Sequence, residues 1–481
     1  MPKTINVLFL AAEADPFVKV GGLGDVGGAL PRALRALAAD ATGGTKLDVR
    51  LVLPLHPVIR TDTAALRPAA IFSMERDGAE IPVQVFETSL DGMPVYFING
   101  DPISSVGSVY SSNPTLDAEK YCFFSLAAIE MLKVFNWEPD VIHANDWHAA
   151  LSLYSVLLKH WNNQMEKVVS VLTVHNLPFM GPDLSVQLPS FGFPLAQSDL
   201  PYWSRSMPLP LGLWSADAIV AVSPSYGREI LGKEYGCGLD EFLLTRKDQV
   251  SGILNGIDMQ SFDPATDAAL AQTFNAETLV QRANNKAALQ EVLGLPVDPN
   301  LPLIGSVTRM DPQKGIDLVP DALRKLSDLP WQLVVLGTGD PKLEAQARRL
   351  QADFPDRVRA ELKYDASLAR QIYAGSDMLL MPSRYEPCGL AQMIAMRYGC
   401  VPIVRATGGL NDTVVHGQTG FLFQKASASA LAGAIREALD AYPDHDHWMN
   451  MQLAGMAQDF SWANSALQYF ELYQSLLDRK Q

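Results

Sequence analysis

The sequence predicts an α/β protein built from two doubly wound domains with parallel sheets. Three observations carry this: short Val/Ile/Leu runs alternate with helical patterns, the alternation restarts near residue 301, and Gly/Asp/Pro punctuation separates the two sets. With 481 residues, 48% hydrophobic and 19% charged, the chain has material for two full cores.

In the first set the expected strands are INVLFLA, LDVRLVL, DVIHA, VVSVLTV, AIVAV and VSGIL. IPVQVFETSLDGMPVYFI reads as a hairpin turning at Asp91-Gly92. In the second set they are LPLIGSV, WQLVVLG, VRAELK, DMLLMPS and VPIVRA. The segment 255–267, NGIDMQSFDPATD, is the expected hinge, giving domains of 1–255 and 256–461. An amphipathic helix at 462–479 is expected to pack back on the first.

Ligands of such folds sit outside the carboxyl ends of the strands. Most unusual polar residues here follow strands: Lys19, His143 to Asp146, His175, Arg309, Lys314 and Glu386. If the two sheets face each other, these residues line one cleft.

Composition excludes several classes. Against 38 Lys and Arg stand 53 Asp and Glu, a net charge of −15, so no nucleic-acid or anionic-membrane partner is expected. No run is long and apolar enough for a membrane span and no secretory signal or transit peptide is visible. Four scattered cysteines without a C-x-x-C pair fit a reducing, cytoplasmic setting.

The glycine-rich stretch FVKVGGLGDVGGALPRAL contains G-x-G-x-x-G at Gly22 to Gly27. A dinucleotide site would need an acid at the end of the second strand, but LDVRLVLPLHP ends in Pro54 and His56. The loop therefore reads either as a phosphate cradle with Lys19 at its edge or as a tight turn packing a helix on the sheet.

In VTRMDPQKG, Arg309 and Lys314 stand just beyond a strand, with Gly315 expected to open the next helix. Two cations around one turn suit neighbouring phosphoryl oxygens; the alternative is a solvated surface loop. In PSRYEPCGLAQ, Glu386 at a strand end suits sugar hydroxyls, and the Gly389 and Leu390 N–H groups suit phosphate or sugar oxygens. The bland alternative makes Glu386 a helix-terminal acid and Cys388 filler. TGGLNDT, from Thr407, repeats the strand–Gly-Gly–helix device.

Together KVGGLGDV, HANDWH, VHNL, VSPSYGREI, GCGLD, GILNGID, RMDPQKG, LGTGD, SRYEPCGL and TGGLNDTV resemble the bacterial glycogen synthase and plant starch synthase family, in family order from residue 13 to about 423. The resemblance implies the GT-B architecture, two Rossmann-like domains facing across a deep cleft. It also implies retaining transfer of glucose from ADP-glucose to the non-reducing end of an α-1,4-glucan, releasing ADP, with no metal and no cofactor.

By position, the resemblance makes Glu386, His175, Lys314, Arg309 and Asp146 catalytic. Lys19, Gly21, Gly22, Asn255, Tyr364, Cys388, Gly389, Leu390, Thr407, Gly408 and Gly409 would bind the donor, with Tyr364 stacking on adenine. Glu13, Asn145, Trp147, His148 and Asn176 would hold the acceptor, with Glu13 an acid at the cleft edge. Val20 and Ala391 stand where the family often has Thr, and Phe179-Met180 where it has Tyr-Gln. A UDP-glucose-using GT-B enzyme and a non-catalytic glucan-binding paralogue are the alternatives.

Overall fold

The structure is a computed structural model describing residues 3–59, 66–162 and 164–480. The chain divides into two compact units. One is Met1–Gly256 with Trp462–Gln481, the other Ile257–Ser461.

The first unit holds a nine-stranded sheet. Its strands are β1 (Thr4–Leu10), β2 (Lys46–Pro54), β3 (Arg67–Arg76), β4 (Ala79–Leu90), β5 (Met93–Asn99), β6 (Val141–Asn145), β7 (Val169–Val174), β8 (Ala218–Ala221) and β9 (Val250–Gly252). The order is β3-β4-β5-β2-β1-β6-β7-β8-β9, parallel except where β4 runs against both neighbours. Every residue of β6, β7 and β8 is buried, which explains their largely apolar character, broken only by His143, Asn145, Ser170 and Thr173.

The β4–β5 hairpin turns at Asp91-Gly92. Strand β3 was not anticipated, yet it joins β4 through Asp77-Gly78, the same dipeptide with both residues at positive φ. At the edge of the sheet, β3 is largely exposed and lacks a clean apolar alternation.

The second unit holds β10 (Leu303–Val307), β11 (Gln332–Leu336), β12 (Val358–Glu361), β13 (Met378–Met381), β14 (Val401–Arg405) and β15 (Phe421–Phe423). Their order is β12-β11-β10-β13-β14-β15, all parallel. This is the Rossmann 3-2-1-4-5-6 arrangement, and β15 is the strand the sequence reading missed. Strand order reverses between β1 and β6 in one sheet and between β10 and β13 in the other, and crevices open outside those carboxyl ends.

The helix Trp462–Lys480 belongs to the first unit. Trp462, Ala466, Tyr469, Phe470, Tyr473, Leu476 and Leu477 follow helical spacing and join the core beneath β1, β2, β6 and β7. His143, expected among the polar groups beyond strand ends, lies instead within β6 and is wholly buried. Its ring nitrogens meet Tyr473 Oη at 2.6 Å and Thr173 Oγ1 at 2.7 Å, and Thr173 Oγ1 lies 3.0 Å from Tyr469 Oη. Burial pushes this imidazole down to about 3, so it stays neutral and structural.

Candidate active site

In the second unit the site forms at the switch point. Asp311 caps a short turn, Pro312–Lys314, by accepting from Gln313 N–H at 2.8 Å. Gly315 then takes a left-handed conformation, φ 65°, and a Cβ there would lie 2.0 Å from Pro382 O. Gly315 therefore ends this turn rather than opening a helix; the next helix begins at Leu318.

The reversal brings Lys314 to Glu386. Lys314 Nζ donates to both carboxylate oxygens, at 2.9 and 2.7 Å, and Ser383 Oγ donates to Oε2 at 3.0 Å. Glu386 is only 5% exposed. The two loops are also pinned by a bidentate pair, Arg384 to Asp317 at 2.7 Å for each bond. A cavity of about 210 Å³ opens there, lined by Arg309, Lys314, Ser383, Glu386, Gly389 and Leu390 among others. Leu390 precedes the helix Ala391–Arg397, and Arg309 is exposed at the cavity wall.

Thr407, Gly408 and Gly409 lie behind this loop. Gly409 N–H donates to Glu386 O at 3.2 Å, and Thr407 precedes the helix Gly408–Thr413. Cys388 is buried, its carbonyl accepting from Gln392 Nε2 at 3.2 Å. None of these four residues lines the cavity. Tyr364, beyond β12, is also outside the lining and 88% exposed.

In the first unit the glycine stretch packs a helix closely on the sheet. A Cβ on Gly27 or Gly28 would strike Glu13 O or Asp15 O at 2.3 and 2.2 Å, so these two let the helix Gly22–Arg35 lie against the chain leaving β1. Gly22 faces open space and Gly21 has only Glu13 Oε1, at 4.0 Å. Glu13 was expected at a cleft edge but is 2% exposed. Its Oε2 accepts from Val20 and Gly21 N–H and its Oε1 from Tyr110 Oη at 2.5 Å, so it shapes the loop. Lys19 is half-exposed and pairs with Asp25 at 2.5 Å.

At the β1/β6 switch point, Asp146 follows β6 with φ 53° and opens the helix Asp146–Trp161. Its carboxylate turns away from that helix and accepts from His175 N–H at 2.7 Å. Burial pushes its carboxyl up to about 7, against the pull of the His175 and Asn176 N–H groups and with a push from Glu13.

Asn145 Nδ2 donates to Leu10 O at 3.1 Å, so its Oδ1 is left to accept from His175 Nε2–H at 3.0 Å. Burial pushes the His175 imidazole down to about 3, so it stands as a neutral group. Among the described residues, Asn176 Oδ1 and Asn255 Oδ1 are buried without a partner, open acceptors for a hydroxyl.

Trp147 and His148 are buried together, ring centroids 4.0 Å apart, against Tyr121. Ser383, Tyr110 and Asp25 were missed. Ser383, three residues before Glu386, was the one with a visible signal.

Each unit thus presents its polar groups at a switch point. The second offers a carboxylate beside two cations and the backbone of Gly389 and Leu390, chemistry suited to a sugar joined to a phosphate. The comparisons agree. The family model described as "Starch synthase catalytic domain" matches residues 6–245, and "Glycosyl transferases group 1" matches 290–451. The protein is a glycosyltransferase of the GT-B fold.

Glycogen synthases of Streptococcus pneumoniae (strain 70585) and Clostridium novyi (strain NT) are each 38% identical, over 98% and 99% of this chain and 100% of theirs. The catalytic domain of starch synthase IV from Arabidopsis thaliana, solved with ADP and acarbose, superposes with a TM-score of 0.87 at 34% identity, covering 99% of this chain and all of that one. The chain belongs to the glycogen and starch synthase family.

Proposed function

We infer that the protein elongates an α-1,4-glucan at its non-reducing end, taking glucose from ADP-glucose with retention of configuration. The observation that carries this is the buried Glu386 gripped by Lys314 beside Arg309 in the cavity of the second unit. A carboxylate accepts from glucose hydroxyls, and the cations and the Gly389 and Leu390 N–H groups meet a diphosphate. Lys314 has three N–H bonds and spends two on Glu386, so one remains for a phosphoryl oxygen. The donor's nature is supported by the ADP in the related plant enzyme.

In this reading the bond from glucose C1 to the diphosphate oxygen breaks as the glucan O4–C1 bond forms on the same face. The O4 proton passes to the departing diphosphate oxygen. Arg309 and Lys314 stabilise the charge that grows on the diphosphate. Glu386 steadies the cationic sugar. Lys19 and the Gly21 and Gly22 backbone add to the phosphate grip once Lys19 leaves Asp25.

His175 is neutral, so it acts through its backbone carbonyl and its place on the turn, not as an imidazolium. Asp146 holds that turn, and Asn145 and Asn176 orient the acceptor. Trp147 and His148 back the acceptor side. Asn255 contributes its unpaired carbonyl oxygen to the donor, and Thr407, Gly408, Gly409 and Cys388 set the position of the Glu386 loop. Tyr364 stacks on the adenine. No metal and no cofactor takes part.

Among the described residues no helix is long and apolar enough to cross a membrane. All four cysteines are free thiols, which suits a reducing cytoplasm. A donor panel of ADP-, UDP- and GDP-glucose against glycogen tests the assignment. Faster transfer from UDP-glucose would replace the donor, and no transfer from any would leave a glucan-binding paralogue.

A further inference from the structure

Lys314 and Glu386 stand on loops that leave neighbouring strands. β10 pairs with β13; Lys314 follows the first, which ends at Val307, and Glu386 follows the second, which ends at Met381. Both residues lie outside the strands, where the sheet no longer fixes their spacing.

Arg384 supplies that spacing. Its backbone N–H donates to Gln313 O at 2.8 Å. Its guanidinium donates to Pro312 O at 2.7 Å and, as a fork, to both carboxylate oxygens of Asp317. Gln313 returns a bond from Nε2 to Tyr385 O at 3.1 Å. Arg405, the last residue of β14, donates to the Arg384 carbonyl and to Gln424 O at 2.9 Å, so a third strand holds the same residue. The chain on either side of Lys314 is therefore tied to the chain just before Glu386.

Neither Arg384 nor Asp317 lines the cavity. Asp317 precedes the helix Leu318–Arg324 without capping it through its side chain. The Arg384 fork holds the Asp317 carboxyl below the usual carboxylate range, so the pair stays charged at neutral pH. Their side chains are 40% and 29% exposed, and an ion pair so placed adds little to stability. What the fork does hold is a geometry.

We propose that Arg384 and Asp317 are positioning residues for glucosyl transfer: a clamp that sets Lys314 against Glu386 and so aims the remaining N–H of Lys314 at the departing diphosphate. The proposal rests on the roles given above to Lys314 and Glu386. A lysine is a point charge on a flexible stem, and it stabilises developing charge only if it is in place beforehand. A misplacement of about 1 Å is enough to lower a rate roughly a hundredfold. The clamp removes that freedom without touching the substrate.

The test is a mutant cycle between clamp and cation. Asp317→Ala, Arg384→Lys and Lys314→Ala are made singly, and each of the first two is also combined with Lys314→Ala. Arg384→Lys keeps the charge and loses the fork. Initial rates with radiolabelled ADP-glucose and glycogen give kcat and both KM values, and calorimetry gives Tm.

Each clamp variant should lower kcat roughly five- to fiftyfold, with both KM values within about twofold of the unaltered protein and Tm nearly unchanged. In the Lys314→Ala background the same changes should lower the residual kcat less than about twofold, because the clamp acts only through that ammonium. Equal losses with and without Lys314 would overturn the proposal, since they would mark general support of the loops. So would wild-type kcat in Asp317→Ala. A raised KM for ADP-glucose with kcat kept would also overturn it, making Arg384 a donor-binding cation instead. Wild-type turnover in Lys314→Ala alone would remove the role of Lys314 on which the proposal stands.

Discussion

Replacing Lys314 by Ala separates what the Lys314–Glu386 pair does for folding from what it does for turnover. Glu386 is 5% exposed and receives three hydrogen bonds, two from Lys314 and one from Ser383. Removing the ammonium leaves a buried carboxylate with one hydroxyl partner. Breaking a fully buried pair in this way costs about 3–5 kcal/mol. The Lys314 side chain is 19% exposed, so water enters part of the vacated space and about 2–3 kcal/mol is the better figure. For a unit of this size that is a fall in melting temperature of about 4–12 °C.

The double variant Lys314→Ala/Glu386→Gln no longer buries an unpaired charge and should recover about 1–2 kcal/mol of that loss. Activity should not follow. Each single variant and the double should lose roughly two to three orders of magnitude in kcat, because in the proposed mechanism both groups act on charge that develops during transfer. Calorimetry and initial rates with ADP-glucose and glycogen supply the four corners of the cycle. An unchanged melting temperature in Lys314→Ala, or a double variant that regains turnover with stability, would refute the reasoning.

The Asp146 carboxyl is raised by burial to about 7. Its contribution to stability is therefore complete below its unfolded value near 4 and is lost as pH rises through 7. Asp146→Asn, whose amide oxygen can still accept from His175 N–H, should flatten that decline in thermal melts between pH 4 and 8; an unchanged slope would reject it. Tyr364→Ala should raise the KM for ADP-glucose roughly five- to fiftyfold by loss of a stacking surface while sparing the KM for glycogen. Gly408→Ala sets a Cβ 1.9 Å from Glu386 O on a backbone at φ 45°, so it should abolish transfer and lower the melting temperature, as read by activity and calorimetry. EDTA should leave the rate of glucosyl transfer unchanged, and a strict metal requirement would refute the electrostatic account of the leaving group.

Strands buried on both faces were legible where an apolar run marks them, as in β8, and the partly exposed β4 and β5 were legible from the Asp91-Gly92 turn between them. Strand β3 was not legible because its face meets solvent, although its Asp77-Gly78 turn repeats the Asp91-Gly92 signal that revealed the neighbouring hairpin. The proposed site residues were named from short motifs, but their pairings were not. Spacing suggested that Arg309 and Lys314 act as two free cations. The structure shows Lys314 committed to Glu386, 72 residues away, and Lys19 to Asp25. Such partnerships depend on which strands sit side by side, and local sequence does not contain that. Gly315 failed for a related reason, since the close approach of Pro382 that demands a glycine comes from another strand.

The helix Trp462–Lys480 lies beyond the second unit in the chain yet completes the core of the first. On the ribosome, the amino-terminal sheet must wait with Thr173 and His143 uncovered until the whole intervening unit has been synthesised. A chaperone that shields this exposed face would have its longest task at that stage. A premature stop near codon 461 would leave the carboxyl-terminal sheet intact while stranding the other half with an open seam, so such a product should be cleared by proteases from its front end.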